Sequence, residues 1–300
     1  MITKYLDPKN DICFKHIFGS EKNKDILIHF INDIMDFKGD DTVLSVRFLP
    51  TDQNPRTAID KQSILDVLCK TQDGQQIIIE MQVARTKGFE KRAQYYASKA
   101  YCGQLKKSKK KEGKEKDEKK KQDVYDNLKS VIFIAITNHV MFEDKKDYIS
   151  RHVILDQKTK EHDLDAFSFT FVELPKFKKT KINQLNNMVE KWCYFFKYAE
   201  ETHEKDIDKI SGNNDVIRQA YEEVNQFNWS EEDIILYERA EKTILDNDSA
   251  SALKEEEAEK RGKAEGEAQI VQNMHEQGIS VEDIAKFTKL SLNQVKEFLK

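Results

Sequence analysis

The chain has 300 residues, enough to bury at least one sizeable core. Charged residues make up 35% and the apolar set 38%, but 17 Phe and 10 Tyr argue against general disorder. The net charge of −4 conceals an asymmetry: ten lysines face four acids between Lys106 and Lys121, a local +6 that leaves −10 for the rest. Total charge therefore argues against a nucleic-acid binder, while its distribution leaves one open.

The N-terminal residues read as two helices. Asp7-Pro8 supplies a cap and a first-turn proline, and Ile12, Phe14, Ile17 and Phe18 recur at helical spacing. Gly19-Ser20 ends that helix and caps the next, whose stripe is Ile26, Leu27, Phe30, Ile31 and Ile34. VLSVRFL (43–49) reads as a strand, followed by a polar connection through Pro50 and Pro55. SILDVLCKT and QQIIIEMQVAR, within 63–85, are two strand-like runs separated by Gln72-Asp73-Gly74, which has hairpin chemistry. Residues 88–106 return to helical spacing with Phe89, Ala93, Tyr96, Ala97, Ala100 and Leu105.

The Lys-rich insert 106–123 has almost no apolar content and reads as a solvated loop or frayed helix end. Held against DNA it would bind phosphates by counterion release; its four acids favour a plain solvated insert. VIFIAIT (131–137), HVILD (152–156) and FSFTFVEL (167–174) read as further strands. From Lys179 the pattern is helical, with Leu185, Met188, Val189, Trp192, Phe195 and Phe196 on one face and two more helices through about residue 247. KEEEAEKRGKAEGEAQ (254–269) has no apolar stripe, as in an exposed helix or linker. In the tail, Ser280 with Asp283 and Ser291 with Gln294 fit capping boxes on two short helices. Such a pair resembles a helix-turn-helix, and equally a small packing or oligomerisation module.

No apolar run approaches the roughly 18 to 20 residues of a membrane span. Cys13, Cys69, Cys102 and Cys193 lie far apart without a C-x-x-C pair, which excludes a disulfide scaffold or zinc finger as the organising principle. The start, MITKYLDPKND, has no apolar segment behind a basic cluster, so no secretory signal is expected and a cytoplasmic location fits best.

The chemistry lies in the hairpin. Asp66 and Glu80 are acids inside apolar strands, where an unpaired charge is costly. Glu80 and Gln82 share a face. With a three-residue loop ending in a left-handed Gly74, Asp66 stands across from Glu80; with a two-residue loop the two lie on opposite faces. The three-residue loop is expected because it gathers Leu65, Val67, Ile77, Ile79, Met81 and Val83 on the other face as one apolar surface. Two carboxylates about 5 Å apart repel unless a cation intervenes, and a hard divalent ion suits them. The alternative is a pair of half-exposed acids satisfied by Arg85 or Arg92.

The run D-x(13)-E-x-Q formed by Asp66, Glu80 and Gln82 resembles the active-site signature of the PD-(D/E)XK nucleases. More narrowly, NDICFKHIFGSEKNKDIL (10–27), ILDV, IIIEMQ, FEKRAQYYASKAYCGQL (89–105), VIFIAITN and the Trp192 helix resemble the Rpn family of recombination-promoting nucleases, also described as PD-(D/E)XK family transposases. The likeness covers roughly residues 5–240.

The resemblance implies an α/β fold with a restriction-endonuclease-like core: a mixed sheet of about four strands flanked by helices, followed by a C-terminal helical region. It implies a Mg²⁺-dependent endonuclease acting on DNA, with Mn²⁺ the alternative ion. Asp66 and Glu80 would hold the metal, and Asp11 matches the family's N-terminal acid. Gln82 stands where the pattern usually has the lysine that polarises the attacking water. It carries no charge, so it would orient water by hydrogen bonds, or Lys15 or Arg92 would supply the cation. Arg92 and Tyr95 are placed to meet a phosphate backbone, as is Lys15, although Arg-Tyr helix faces are also common in plain packing. Two rival readings are a catalytically decayed scaffold that binds DNA or protein, favoured by the missing lysine and the acidity, and a metal-dependent phosphodiesterase acting on RNA. The organisation expected is a core at 1–178, a helical subdomain at 179–247, an exposed helix or linker at 248–278 and the tail at 279–300, with homo-oligomerisation through the C-terminal helices and no membrane partner.

Overall fold

The computed structural model describes residues 4–53, 63–112 and 125–299. The first helix begins three residues later than Pro8 suggests. Asp7 turns its carboxylate onto the Lys9 N–H at 2.9 Å, and its carbonyl accepts from Asn10 N at 3.1 Å, closing a turn. Asn10 then caps α1 (Asp11–Phe18) by accepting from Ile12 N. This start puts Asp11 and Lys15 one turn apart and sends Cys13, Phe14, Ile17 and Phe18 inward. The Gly19 N–H closes α1 on the Lys15 carbonyl at 2.8 Å, and Ser20 caps a single 3₁₀ turn that runs into α2 (Lys24–Met35).

The strands are β1 (Val46–Phe48), β2 (Asp52–Gln53), β3 (Ser63–Ile64), β4 (Val67–Thr71) and β5 (Gln76–Gln82), then α3 (Phe89–Glu112), β6 (Val131–Thr137), β7 (Ile149–Val153) and β8 (Phe167–Glu173). Six of them form one mixed sheet in the order β1-β4-β5-β6-β8-β7, with β5, β6 and β8 parallel. The four expected core strands are β1, β4, β5 and β6, and the two further strands, β8 and then β7, extend the sheet beyond β6. β2 and β3 form a separate antiparallel pair. β7 lies three residues before the expected 152–156, because Asp156 starts a turn by accepting the Lys158 and Thr159 N–H groups, each at 2.7 Å. The larger part of the Lys-rich insert, 113–124, and the connection through Pro55 lie outside the described residues.

The hairpin has the three-residue loop. Gly74 N donates to Thr71 O at 3.1 Å, Thr71 N donates to Gln75 O at 2.9 Å, and Gly74 adopts φ +93°, where an L side chain is strained. The register follows, with Val67 opposite Ile79 and Lys70 opposite Gln76. The expectation of one apolar face needs correction, since both faces are covered. Val67, Cys69, Ile77, Ile79, Ile132, Ile134 and Ile136 form a core with α1, α2, α4 (Met188–Tyr198) and α6 (Asp215–Glu223). Leu68, Ile78, Val131, Phe133 and Ala135 pack against Phe89, Ala93, Ala97 and Ala100 of α3. Leu65 belongs to this second core, not to the Val67 face, because the chain leaves the strand between β3 and β4 and bends at Asp66.

The chain forms two compact units, residues 1–241 and 242–300. Trp192, Phe195 and Phe196 of α4 are fully buried in the first core, at roughly 1.5–3 kcal/mol for each large apolar side chain. α5 (Glu204–Ser211) precedes α6, and α7 (Glu231–Glu276) begins in the first unit and ends in the second. In the second unit α8 (Val281–Thr288) and α9 (Leu292–Phe298) close with Val271 around a small core of Val271, Ile284 and Val295. Ser291 and Gln294 make a reciprocal capping box, while Ser280 accepts the Asp283 N–H at 3.2 Å. Among the described residues no helix is long and apolar enough to cross a membrane.

Candidate active site

The bend at Asp66 is held by carboxylates in place of ladder bonds. The Asp66 N–H donates to Glu80 Oε1 at 3.3 Å, and Asp66 Oδ2 accepts from the Met81 N–H at 2.9 Å. Each acid is thereby fixed against the other's segment, one position beyond the last ladder pair, Val67 opposite Ile79. Glu80 is only 6% exposed, and the Asp66 side chain 14%.

Two carboxylates so placed resist ionisation. Burial pushes the Asp66 carboxyl up to about 6; the charge of nearby Asp11 adds to this, while the Met81 N–H and Lys15 oppose it. Burial pushes Glu80 up to about 8, and the Asp66 charge adds to the shift. Burial is the larger cause for both acids; the positive charges of Lys15, and of Arg92 at Glu80, oppose it only in part.

The nearest such charge comes from α1. The Lys15 ammonium lies 2.7 and 2.9 Å from the two Asp11 oxygens and 3.6 Å from Asp66 Oδ1, bridging the two acids. Burial works against its charge, but Asp11 and then Asp66 outweigh it and raise its pKa. Among the described residues no three His, Cys, Asp or Glu side chains gather at metal-binding distances. The structure brings together the Asp66–Glu80 pair, with Asp11 beside Asp66 and the Lys15 ammonium shared between those two.

Gln82 follows Glu80 on the same face, but its amide is already engaged. Its oxygen accepts from the Arg92 guanidinium, and its NH₂ donates to the Ala84 carbonyl at 2.6 Å. Arg92 also stacks on Phe89, 4.9 Å from the ring centroid, and its Nε is buried without a hydrogen-bond partner. Arg85 lies elsewhere, 3.5 Å from Glu143. Tyr95 is 45% exposed, with Lys99 5.6 Å from its ring. Its neighbour Tyr96 is the tyrosine near the acids: burial raises its hydroxyl pKa, and the charges of Glu80 and Asp66 contribute. Tyr96 follows Arg92 by four residues, so the helical i,i+4 relation was the available signal.

A mixed sheet flanked by helices, with an acid pair where the antiparallel hairpin meets the parallel strands, is consistent with a PD-(D/E)XK nuclease fold. The family model for PD-(D/E)XK nuclease family transposases matches residues 8–255, and the chain belongs to that family. Neither a curated protein nor a solved structure matches it significantly.

Proposed function

We propose that the protein is a Mg²⁺-dependent DNA endonuclease of the recombination-promoting type, with Mn²⁺ as an alternative ion. The observation that carries this is the buried Asp66–Glu80 pair, each acid held by a backbone N–H and its ionisation opposed by burial. The donor set fits a hard divalent ion through the carboxylate oxygens of Asp66 and Glu80, while Asp11 is engaged by Lys15 and would join only by releasing it. When bound, such an ion supplies Lewis-acid charge to a phosphodiester and to the attacking water.

The chain's own residues do the rest. Asp66 and Glu80 are held in place by backbone N–H groups, so their positions are preorganised. Lys15 takes the part of the motif lysine, setting an ammonium against Asp66 from α1 where it can orient and polarise a water. Gln82 positions Arg92, whose charge reaches Glu80. Tyr96 adds a hydroxyl donor near the acids. Tyr95, with its exposed ring, is a peripheral strand contact.

A decayed scaffold that only binds DNA or protein is the second reading, and the engagement of the Gln82 amide by Arg92 and Ala84 favours it. Nicking of supercoiled plasmid with Mg²⁺, with and without EDTA, separates the two. The expected result is EDTA-sensitive nicking that Asp66→Asn abolishes, with RNA left intact alongside. Nicking unchanged in that variant, or none with any divalent ion, overturns the proposal.

A further inference from the structure

The face of the sheet that carries Glu80 holds a second feature. In register, Glu80 pairs with Ala135, Ala135 with Phe171, and Phe171 with Ser150 of the edge strand. Paired residues in neighbouring strands point to the same face, so Phe171 stands in the Glu80 row two strands away, roughly 10 Å at about 4.8 Å per strand. α3 lies between them, with its Arg92 flank toward Gln82 and Glu90 and Gln94 on its opposite flank. Beyond that second flank opens a cavity of about 340 Å³ over β8 and β7.

Aromatic rings build this cavity. Phe171 and Phe169 come from β8 and His152 from β7, and Phe142 closes one end by meeting Phe171 edge-on at 5.2 Å and His152 at 5.1 Å. Glu90 and Gln94 put a carboxylate and an amide on its rim. Lys145, which is exposed, holds its ammonium 5.3 Å from the centroid of the Phe142 ring. An aromatic slot with a hydrogen-bonding rim and a cation at its edge fits a nucleotide: the ring system stacks, the rim meets base edges and the ammonium meets a phosphate. A purely apolar ligand would leave the rim and the ammonium unused.

We infer that this slot receives an unpaired nucleobase of the nucleic-acid strand whose backbone lies at the acid pair, with Lys145 meeting the adjoining phosphate. The inference rests on the nuclease reading for its substrate and adds a preference for single-stranded or locally unpaired DNA. Base stacking on an aromatic platform tolerates sequence, so the preference is for an accessible base, not for one base identity.

The test is equilibrium binding by fluorescence anisotropy, in EDTA, with the full chain. The probes are a short single-stranded deoxyoligonucleotide, an abasic strand of equal length, and a duplex. The wild type should bind the base-bearing strand about tenfold more tightly than the abasic one. Phe169→Leu should erase that difference and leave duplex affinity unchanged. Lys145→Gln should weaken both single strands by a similar factor. Equal affinity of the wild type for base-bearing and abasic strands overturns the slot, as does a preference that survives Phe169→Leu. Should Phe169→Leu fail to fold, the exposed Lys145→Gln and the wild-type comparison still decide. Hydrolysis is not needed for this readout: a protein that shows the base preference but never nicks keeps the slot, and one that nicks without the preference loses only the slot.

Discussion

Asp66 holds Glu80 through its own backbone: the Asp66 N–H donates to Glu80 Oε1 at 3.3 Å, while the Asp66 carboxylate takes the Met81 N–H. Acid pairs left to side-chain freedom would swing apart to relieve repulsion. Here the backbone N–H groups of Asp66 and Met81 hold the two acids close together.

Neutral isosteres should therefore separate activity from stability. Asp66→Asn and Glu80→Gln keep the shape and an acceptor oxygen but remove the charge. Nicking should fall by at least about 100-fold, since metal-supplied stabilisation amounts to several kcal/mol. Melting of the metal-free Glu80→Gln protein at pH 8 should instead rise by a few degrees, on a scale of roughly 2–4 °C per kcal/mol. A variant that loses both activity and melting temperature would assign the acids to structure alone.

The same pair sets a pH dependence. Glu80 rises from 4.5 to about 8 and Asp66 from 3.8 to about 6, so between those limits the folded protein holds more protons than the unfolded chain. Stability from this pair is complete below about pH 4 and is lost as the pH climbs through 6 and then 8. His139 and His152 work in the opposite sense, because burial lowers their pKa values. Thermal melts in EDTA from pH 5 to 8.5 should thus be compared between wild type and Glu80→Gln. The difference should grow in favour of the variant with rising pH, and parallel curves would refute the shift.

Trp192 ties α4 to α2. It is fully buried, meets Phe30 edge-on at 5.4 Å, and donates from Nε1 to Asp33 Oδ2 at 2.8 Å. Trp192→Phe keeps most of the packing but leaves Asp33 without its donor, a loss of about 1–3 kcal/mol. Trp192→Ala should lose about 3–5 kcal/mol. Chemical denaturation measures both, and nicking below the melting transition should be unchanged in Trp192→Phe.

Much of this architecture is legible in local sequence because the signals were local. Gln72-Asp73-Gly74 fixed the loop length, the loop length fixed the register up to Val67 opposite Ile79, and Asp66 meets Glu80 just beyond it through side-chain to backbone bonds. VIFIAIT matched β6 to the residue. The misplacements came from longer-range competition. Asp7-Pro8 looked like a helix start until Asn10 proved the better-placed cap. Leu65 kept its apolar character but changed faces, because the side-chain bonds at Asp66 break the alternation that a continuous strand would enforce. Tyr96 does pack against the second core as its spacing suggests, and only the docking of α3 brings it near the acids as well. The engagement of Gln82 by Arg92 joins a strand and a helix and left no trace in spacing.

On the proposed nuclease function, that engagement assigns the catalytic cation to α1 and not to the strand. If Gln82 merely awaited replacement by the usual motif lysine, Gln82→Lys should raise nicking. The structure argues otherwise, because a lysine there would face Arg92, lose the acceptor that Arg92 uses, and add a third cation beside Lys15 and Arg92. Lys15, by contrast, reaches Asp66 Oδ1 at 3.6 Å and is the ammonium nearest the pair among the described residues. Lys15→Gln should lower kcat by roughly 100-fold or more, in the range typical of a lost proton-transfer or water-polarising group, with little change in KM. Gln82→Lys should not exceed wild-type activity and should not rescue Lys15→Gln. Recovery of nicking in the double variant would move the cation's role back to the strand and away from α1.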